Sequence, residues 1–163
     1  MVQAFFKFKD FKSIIYRQND LQEDSVESLR QLLAKGIPYH LQELRISNCK
    51  LIPKVTTELI DAIAEKSFLK QFELANAPLS EENIVSLSAY VMSSKHLEEL
   101  DLSFNAMGPS KMDLLFSSIK DNKKLQFLNI SHNSLIEGMS GNNMQQVLET
   151  QAKVSAFLSH FLK

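Results

Sequence analysis

Residues 97–107, Leu-Glu-Glu-Leu-Asp-Leu-Ser-Phe-Asn-Ala-Met, carry apolar side chains at their first, fourth, sixth and eleventh places and an asparagine at the ninth. The same pattern starts at Leu41 (LQELRISNCKL), Leu69 (LKQFELANAPL) and Leu125 (LQFLNISHNSL), always at intervals of 28 residues. An earlier copy, FKSIIYRQNDL, starts at Phe11, 30 residues before Leu41, with Ile14, Tyr16, Asn19 and Leu21 in the matching places. The ninth place thus reads Asn19, Cys49, Ala77, Asn105 and Asn133. A repeat period of roughly 20–50 residues marks a solenoid, in which one unit cannot bury its apolar face alone and stacked neighbours do so together.

The second half of each unit has helical rather than strand periodicity. Val26, Leu29 and Leu33 recur as Ile84, Leu87 and Val91 and again as Met112, Leu115 and Ile119. In the second copy Leu59, Ile60 and Ile63 serve the same purpose, with Thr56 in a usually apolar place. Ser80 followed by Glu81 and Glu82 reads as an N-cap with acidic first-turn residues, and Ser110 with Asp113 as a capping box. Each unit is therefore a short strand, a turn and a helix.

These copies resemble the leucine-rich-repeat family, whose hallmark is L-x-x-L-x-L-x-x-N/C-x-L, and the 28-residue spacing is similar to that of its ribonuclease-inhibitor-like subfamily. The resemblance covers residues 11 to about 135. It implies an α/β fold: a short right-handed solenoid with a parallel β-sheet on the concave face, helices on the convex face and a capping helix at each end. Residues 1–10 are then an N-terminal helical cap, or equally the half-repeat of a longer solenoid. Residues 11–141 hold five repeats starting at 11, 41, 69, 97 and 125. Residues 142–163 form a C-terminal capping helix, with a truncated sixth repeat near Val154 as the competing reading. Ala77 lacks the side chain that hydrogen-bonds loop backbone in such repeats, so a looser turn is expected there.

Composition narrows the function. The chain has 163 residues, 44% hydrophobic and 23% charged, with 18 basic against 19 acidic side chains, which fits one soluble domain. A net charge of −1 gives no field for a phosphate backbone, so nucleic acid is not an expected partner. The single cysteine, Cys49, rules out an internal disulfide and a cysteine-rich zinc site, and points to a reducing, cytoplasmic location. No signal peptide or membrane span is expected. His40, His96, His132 and His160 lack metal-ligand spacing, and no phosphate loop, nucleophile elbow or zinc-protease motif occurs. Neither a catalytic residue, a metal nor a cofactor is expected.

Strand side chains alternate between faces, so the third, fifth, seventh and eighth places point outward. The third are Ser13, Glu43, Gln71, Glu99 and Phe127, and the fifth are Ile15, Arg45, Glu73, Asp101 and Asn129. The seventh are Arg17, Ser47, Ala75, Ser103 and Ser131, and the eighth are Gln18, Asn48, Asn76, Phe104 and His132. Glu43, Glu73, Glu98, Glu99 and Asp101 make a carboxylate-rich centre, and Phe104, Phe127 and His132 an aromatic patch. The expected partner-binding face comprises Glu43, Arg45, Glu73, Glu99, Asp101, Phe104, Phe127, Asn129 and His132. The function this predicts is non-catalytic recognition of another protein, one with a basic segment, by a monomer. The alternative is a structural subunit of a cytoskeletal or ciliary assembly, with a small-GTPase or actin regulator as a further reading.

Overall fold

Alternation of apolar and polar side chains extends the chain over the middle of every repeat. The strands are β1 (Ser13–Arg17), β2 (Glu43–Ser47), β3 (Gln71–Ala75), β4 (Glu99–Asp101) and β5 (Phe127–Asn129). Between them run helices α1 (Glu23–Ala34), α2 (Pro53–Lys66), α3 (Glu81–Ser93) and α4 (Pro109–Ile119). This is a computed structural model, and it describes residues 12–133 apart from 20, 22, 35–39, 67 and 121. The expected caps at 1–10 and 142–163 lie outside the described residues.

All four strand pairings are parallel, and the sheet order follows the chain order from β1 to β5. Equal places pair with equal places: Glu43 lies opposite Gln71, Gln71 opposite Glu99, and Glu99 opposite Phe127. At the strand entrances one carbonyl accepts two N–H groups from the next repeat. Gln42 receives Lys70 and Gln71 at 2.8 and 3.0 Å, and Lys70 receives Glu98 and Glu99 at 2.8 and 2.9 Å. From the first residue of a strand to the first residue of the following helix is ten residues in all four units. The chain is thus an α/β solenoid whose units differ little in phase.

Between the sheet and the helices lies one continuous core. The fourth and sixth places supply Leu44, Ile46, Phe72, Leu74, Leu100, Leu102, Leu128 and Ile130, all buried. The helices supply Val26, Leu29, Leu59, Ile63, Ile84, Leu87, Met112, Leu115 and Ile119 from the opposite side. Thr56, the polar exception, is also buried and turns its hydroxyl to the Ile52 carbonyl at 3.1 Å. A hydroxyl donating back along its own helix removes the cost of burying it unpaired.

The ninth place stitches adjacent turns together. Asn105 donates its amide to the carbonyls of Leu74 and Leu102, and Asn133 to those of Leu102 and Ile130, all within 3.0 Å. Their amide oxygens accept the backbone N–H groups of Ala77 in one case and of Asn105 and Met107 in the other. Cys49 is a weaker version, its Sγ lying 3.7 Å from the Tyr16 carbonyl. At Ala77 the side-chain rung is missing, and a bond one place earlier, from Asn76 Nδ2 to Asn48 Oδ1 at 2.7 Å, spans the same step.

Helix ends follow their local chemistry. Ser80 caps α3 in a reciprocal box with Asn83, whose amide also reaches the Pro53 carbonyl at 2.7 Å and so ties α3 to the start of α2. The capping box expected at Ser110 does not form. Helix α4 begins a residue earlier, at Pro109 behind an N-cap Gly108, because proline's fixed φ and missing N–H suit the first helical position. Asn122 closes the return to β5, donating to the Val91 and Ser94 carbonyls and accepting the N–H groups of Lys124 and Leu125.

Leu100 is fully buried in the middle of this core. Leu100→Ala should lower stability by about 2 to 5 kcal/mol through lost burial and the cavity left behind. Urea unfolding measures it, and a loss below about 0.5 kcal/mol would take Leu100 out of the core.

Candidate functional site

The third and fifth places form two parallel rows on the face of the sheet turned away from the helices. Arg45 is the hub of the first half. Its Nε bonds Glu43, its Nη2 reaches Gln71 Oε1 at 3.2 Å, and its Nη1 lies 3.6 Å from Glu73 Oε2. One guanidinium therefore bridges β2 and β3. The Glu43 carboxyl lies below the ordinary glutamate range, chiefly through a hydrogen bond from Ser13 and then through the bond and charge of Arg45, against the opposing effect of burial.

Asp101 is committed inside the protein. Its Oδ1 accepts the N–H and hydroxyl of Ser103 at 2.9 and 2.7 Å, and its Oδ2 accepts the Asn129 amide at 2.8 Å. Asn129 repeats the device one strand on, accepting the N–H and hydroxyl of Ser131 at 3.0 and 2.8 Å. These are side-chain turns that end the strand. An Asp or Asn two residues before a Ser in the same place of adjacent repeats was the available signal for them. The Glu99 carboxylate has no hydrogen-bond or ion-pair partner among the described residues, whereas that of Glu98, outside both rows, faces Lys70 Nζ at 3.8 Å.

Arg45, Gln71, Glu73, Glu99 and Asp101 surround a shallow depression of about 320 Å³, open mouth included, with Phe72 and Leu100 beneath and Phe127 on its wall. Phe127 is 41% exposed, and Ile15, at the far end of the fifth-place row, is 52% exposed. Four carboxylates share these rows with one guanidinium, so the middle of the face is negative, and each end strand carries one exposed apolar side chain, Ile15 or Phe127.

Two expectations about this face need correction. In the three middle repeats the seventh place does not contribute surface: Ser47, Ala75 and Ser103 are buried, because small side chains lie sheltered between strands only ~4.8 Å apart, whereas Arg17 on β1 is exposed as expected. Nor do the three aromatic residues make one patch. Phe127 opens β5, whereas Phe104 and His132 follow the C-terminal ends of β4 and β5 and stack on each other, ring centroids 4.0 Å apart and planes 10° from parallel.

The eighth place has a conformation of its own. Gln18, Asn48, Asn76, Phe104 and His132 all adopt φ between 49° and 61°, the left-handed region. Asparagine tolerates it, but a bulky aromatic residue does so at a cost. Phe104 keeps this strained backbone while leaving its ring 53% exposed.

Among the described residues no group of three or more His, Cys, Asp or Glu side chains could hold a metal ion. Cys49 is buried in the turn, His96 packs against Phe68 with centroids 5.2 Å apart, and His160 lies outside the described residues. No described helix is long and apolar enough to cross a membrane.

Family models described as leucine-rich repeat match residues 40–65 and 93–110, two of the units just described. This is a leucine-rich-repeat protein. It is related to the ribonuclease-inhibitor-like group: a 78-residue stretch is 32% identical to mouse (Mus musculus) ribonuclease inhibitor, covering 48% of this chain and 17% of that protein. Rat (Rattus norvegicus) lumican is 32% identical over 167 aligned positions, covering 90% of this chain and 44% of lumican. The leucine-rich-repeat chain spans less than half the length of either relative. Among solved structures, the tropomodulin C-terminal domain of Caenorhabditis elegans superposes with a TM-score of 0.75 at 15% identity, covering 99% of both chains. The structure titled leiomodin-1 actin-binding site 2 superposes with 0.74 at 9% identity, covering 97% of this chain and 88% of that one. At such identities these likenesses show a shared repeat fold.

Two outcomes follow from the face of this leucine-rich-repeat protein. Because the folded Glu43 carboxyl lies below its unfolded value of about 4.3, its contribution is complete above that pH and is lost as pH falls through the folded value. Glu43→Gln should therefore flatten the decline of stability between about pH 5 and pH 3, which denaturant unfolding across that range checks. Phe104→Asn exchanges a ring stack worth about 0.5–1.5 kcal/mol for relief of about 1–2 kcal/mol of left-handed strain. Stability should stay within about 1 kcal/mol of wild type, and a loss beyond about 2 kcal/mol would make the ring a packing residue.

Proposed function

We propose that this chain is a non-catalytic recognition scaffold that works in the cytoplasm and binds a partner protein through the exposed face of its sheet. Glu43, Arg45, Glu73, Glu99, Asp101, Phe104, Phe127, Asn129 and His132 form the contact surface, and the partner presents a basic segment. The observation that carries this reading is the combination on one face of an uncommitted carboxylate, Glu99, with an exposed Phe127 directly opposite it across β4 and β5. Exposed aromatic side chains are anchors in protein interfaces, and complementary charge steers the encounter. The face is also preorganised. Arg45, Asp101 and Asn129 are already fixed by internal bonds, so little conformational freedom is lost on docking.

The role of each residue differs within this reading. Glu99 and Glu73 supply attraction, Phe127 and Phe104 supply buried area on binding, and Arg45, Asp101 and Asn129 hold the frame. A second reading, a subunit of a cytoskeletal assembly, draws on the fold shared with tropomodulin and with leiomodin-1 actin-binding site 2.

Affinity capture from source cells separates these possibilities. A sheet-face variant carrying Glu73→Lys, Glu99→Lys and Phe127→Ala should lose its partner, while a helix-face variant carrying Val85→Glu and Met92→Glu should retain it. The opposite pattern would move binding to the helices. Co-sedimentation with filamentous actin tests the cytoskeletal reading directly, and loss of the protein from the filament pellet at every actin concentration would remove it.

A further inference from the structure

The sheet face has a directional pattern that specifies its partner more closely, provided the face is the recognition surface. Ile15 on β1, Glu73 on β3, Glu99 on β4 and Phe127 on β5 lie on a diagonal that crosses the strands, moving from the fifth-place row to the third-place row. Four strand steps of ~4.8 Å and one row change of ~7 Å give the diagonal a length of about 20 Å, or about 5 Å per strand. That step matches the ~5.4 Å pitch of an α-helix and not the ~7 Å between same-facing residues of an extended chain. A helix laid along the diagonal offers one turn to each strand, and its diameter of roughly 10–12 Å covers both rows.

We infer that the partner docks as an amphipathic α-helix lying diagonally across the five strands, apolar at both ends of its contact stripe and basic between them. The charges fix the order. An apolar side chain at position i meets Ile15, and a non-basic one at i+3 or i+4 passes Arg45, which repels cations. Basic side chains at i+7 and i+11 then meet Glu73 and Glu99, the latter without a partner of its own among the described residues. The helix ends its contact with an apolar residue at i+14 over Phe127. Fourteen residues of helix span about 21 Å, the length of the diagonal.

The probe is a stapled helical peptide of about 17 residues with leucine at its second and sixteenth positions, glutamate at the fifth, arginine at the ninth and thirteenth, and alanine or glutamine elsewhere. It is titrated, together with its reversed sequence, into the isotopically labelled full chain and followed by backbone amide shifts. One of the two should move the amides of Ile15, Glu73, Glu99 and Phe127 together. Replacing both arginines with glutamate should weaken binding by at least about tenfold, and Glu99→Arg in the protein should weaken the arginine peptide by about fivefold or more while strengthening the glutamate one. Circular dichroism of the variant confirms an intact fold. Equal binding of arginine and glutamate peptides on this face overturns the inference and leaves recognition by the sheet standing. Shifts centred on Val85 and Met92 overturn both. Absence of binding by either sequence up to about 1 mM, which corresponds to about −4.1 kcal/mol, also overturns it. So do shifts at Ile15 and Phe127 that depend on protein concentration alone, which would make a second copy the occupant.

Discussion

In-register parallel pairing of the strands is the constraint on which the rest depends. Once Leu44, Phe72, Leu100 and Leu128 must lie side by side to close the core, every other place of the repeat is aligned as well. The ninth-place amides bridge because they are one strand spacing apart, and the eighth-place residues share one backbone conformation because each turn copies its neighbour. The outward rows are a product of the same alignment. A charge placed at the fifth position of one repeat is bound to face the fifth position of the next, which is why Arg45 meets Glu73 across β2 and β3, while Glu43 reaches it from two residues back on its own strand.

The face so formed is neither uniformly charged nor uniformly free. Arg45 neutralises much of Glu43 and Glu73, and Asp101 spends both oxygens on Ser103 and Asn129. What is left for a partner is a negative bias concentrated at Glu99, with an aromatic wall beside it. Interactions internal to the face lower the entropy of its side chains before any partner arrives, so the groups that give rigidity and those that give attraction are different residues.

Much of this was legible in the sequence. Apolar residues recurring at fixed places in five copies located the strands, the core and the outward rows, because burial on one side and water on the other leave a direct mark on residue type. The seventh place of the middle repeats was misread since Ser and Ala suit a surface as well as a narrow space between strands. Asp101 looked like a free carboxylate because a pattern of polarity does not show its partners, the N–H and hydroxyl of Ser103 two residues on and the Asn129 amide 28 residues on; only the spacing of Asp or Asn to Ser pointed to the first. Phe104 gave no sign of left-handed backbone, as it is not one of the residues that announce it; only its place, shared with Asn48 and Asn76, carried that information. Ser110 was read as a cap but lies inside α4, because Pro109 fixes the helix start one residue earlier.

The first repeat is two residues longer than the others, yet β1 and β2 pair without offset. Strand start and helix start are ten residues apart in that unit as in the rest, so the extra length falls between the start of α1 and the start of β2. The sheet side of the solenoid therefore acts as a ruler and the helix side as slack. Changes of length on the return path leave the spacing of the outward side chains untouched, whereas one residue added between a strand and its following helix would shift the turn that carries both the left-handed eighth place and the bridging ninth. An array built this way can drift in period over generations and still present a lattice of contacts with constant spacing.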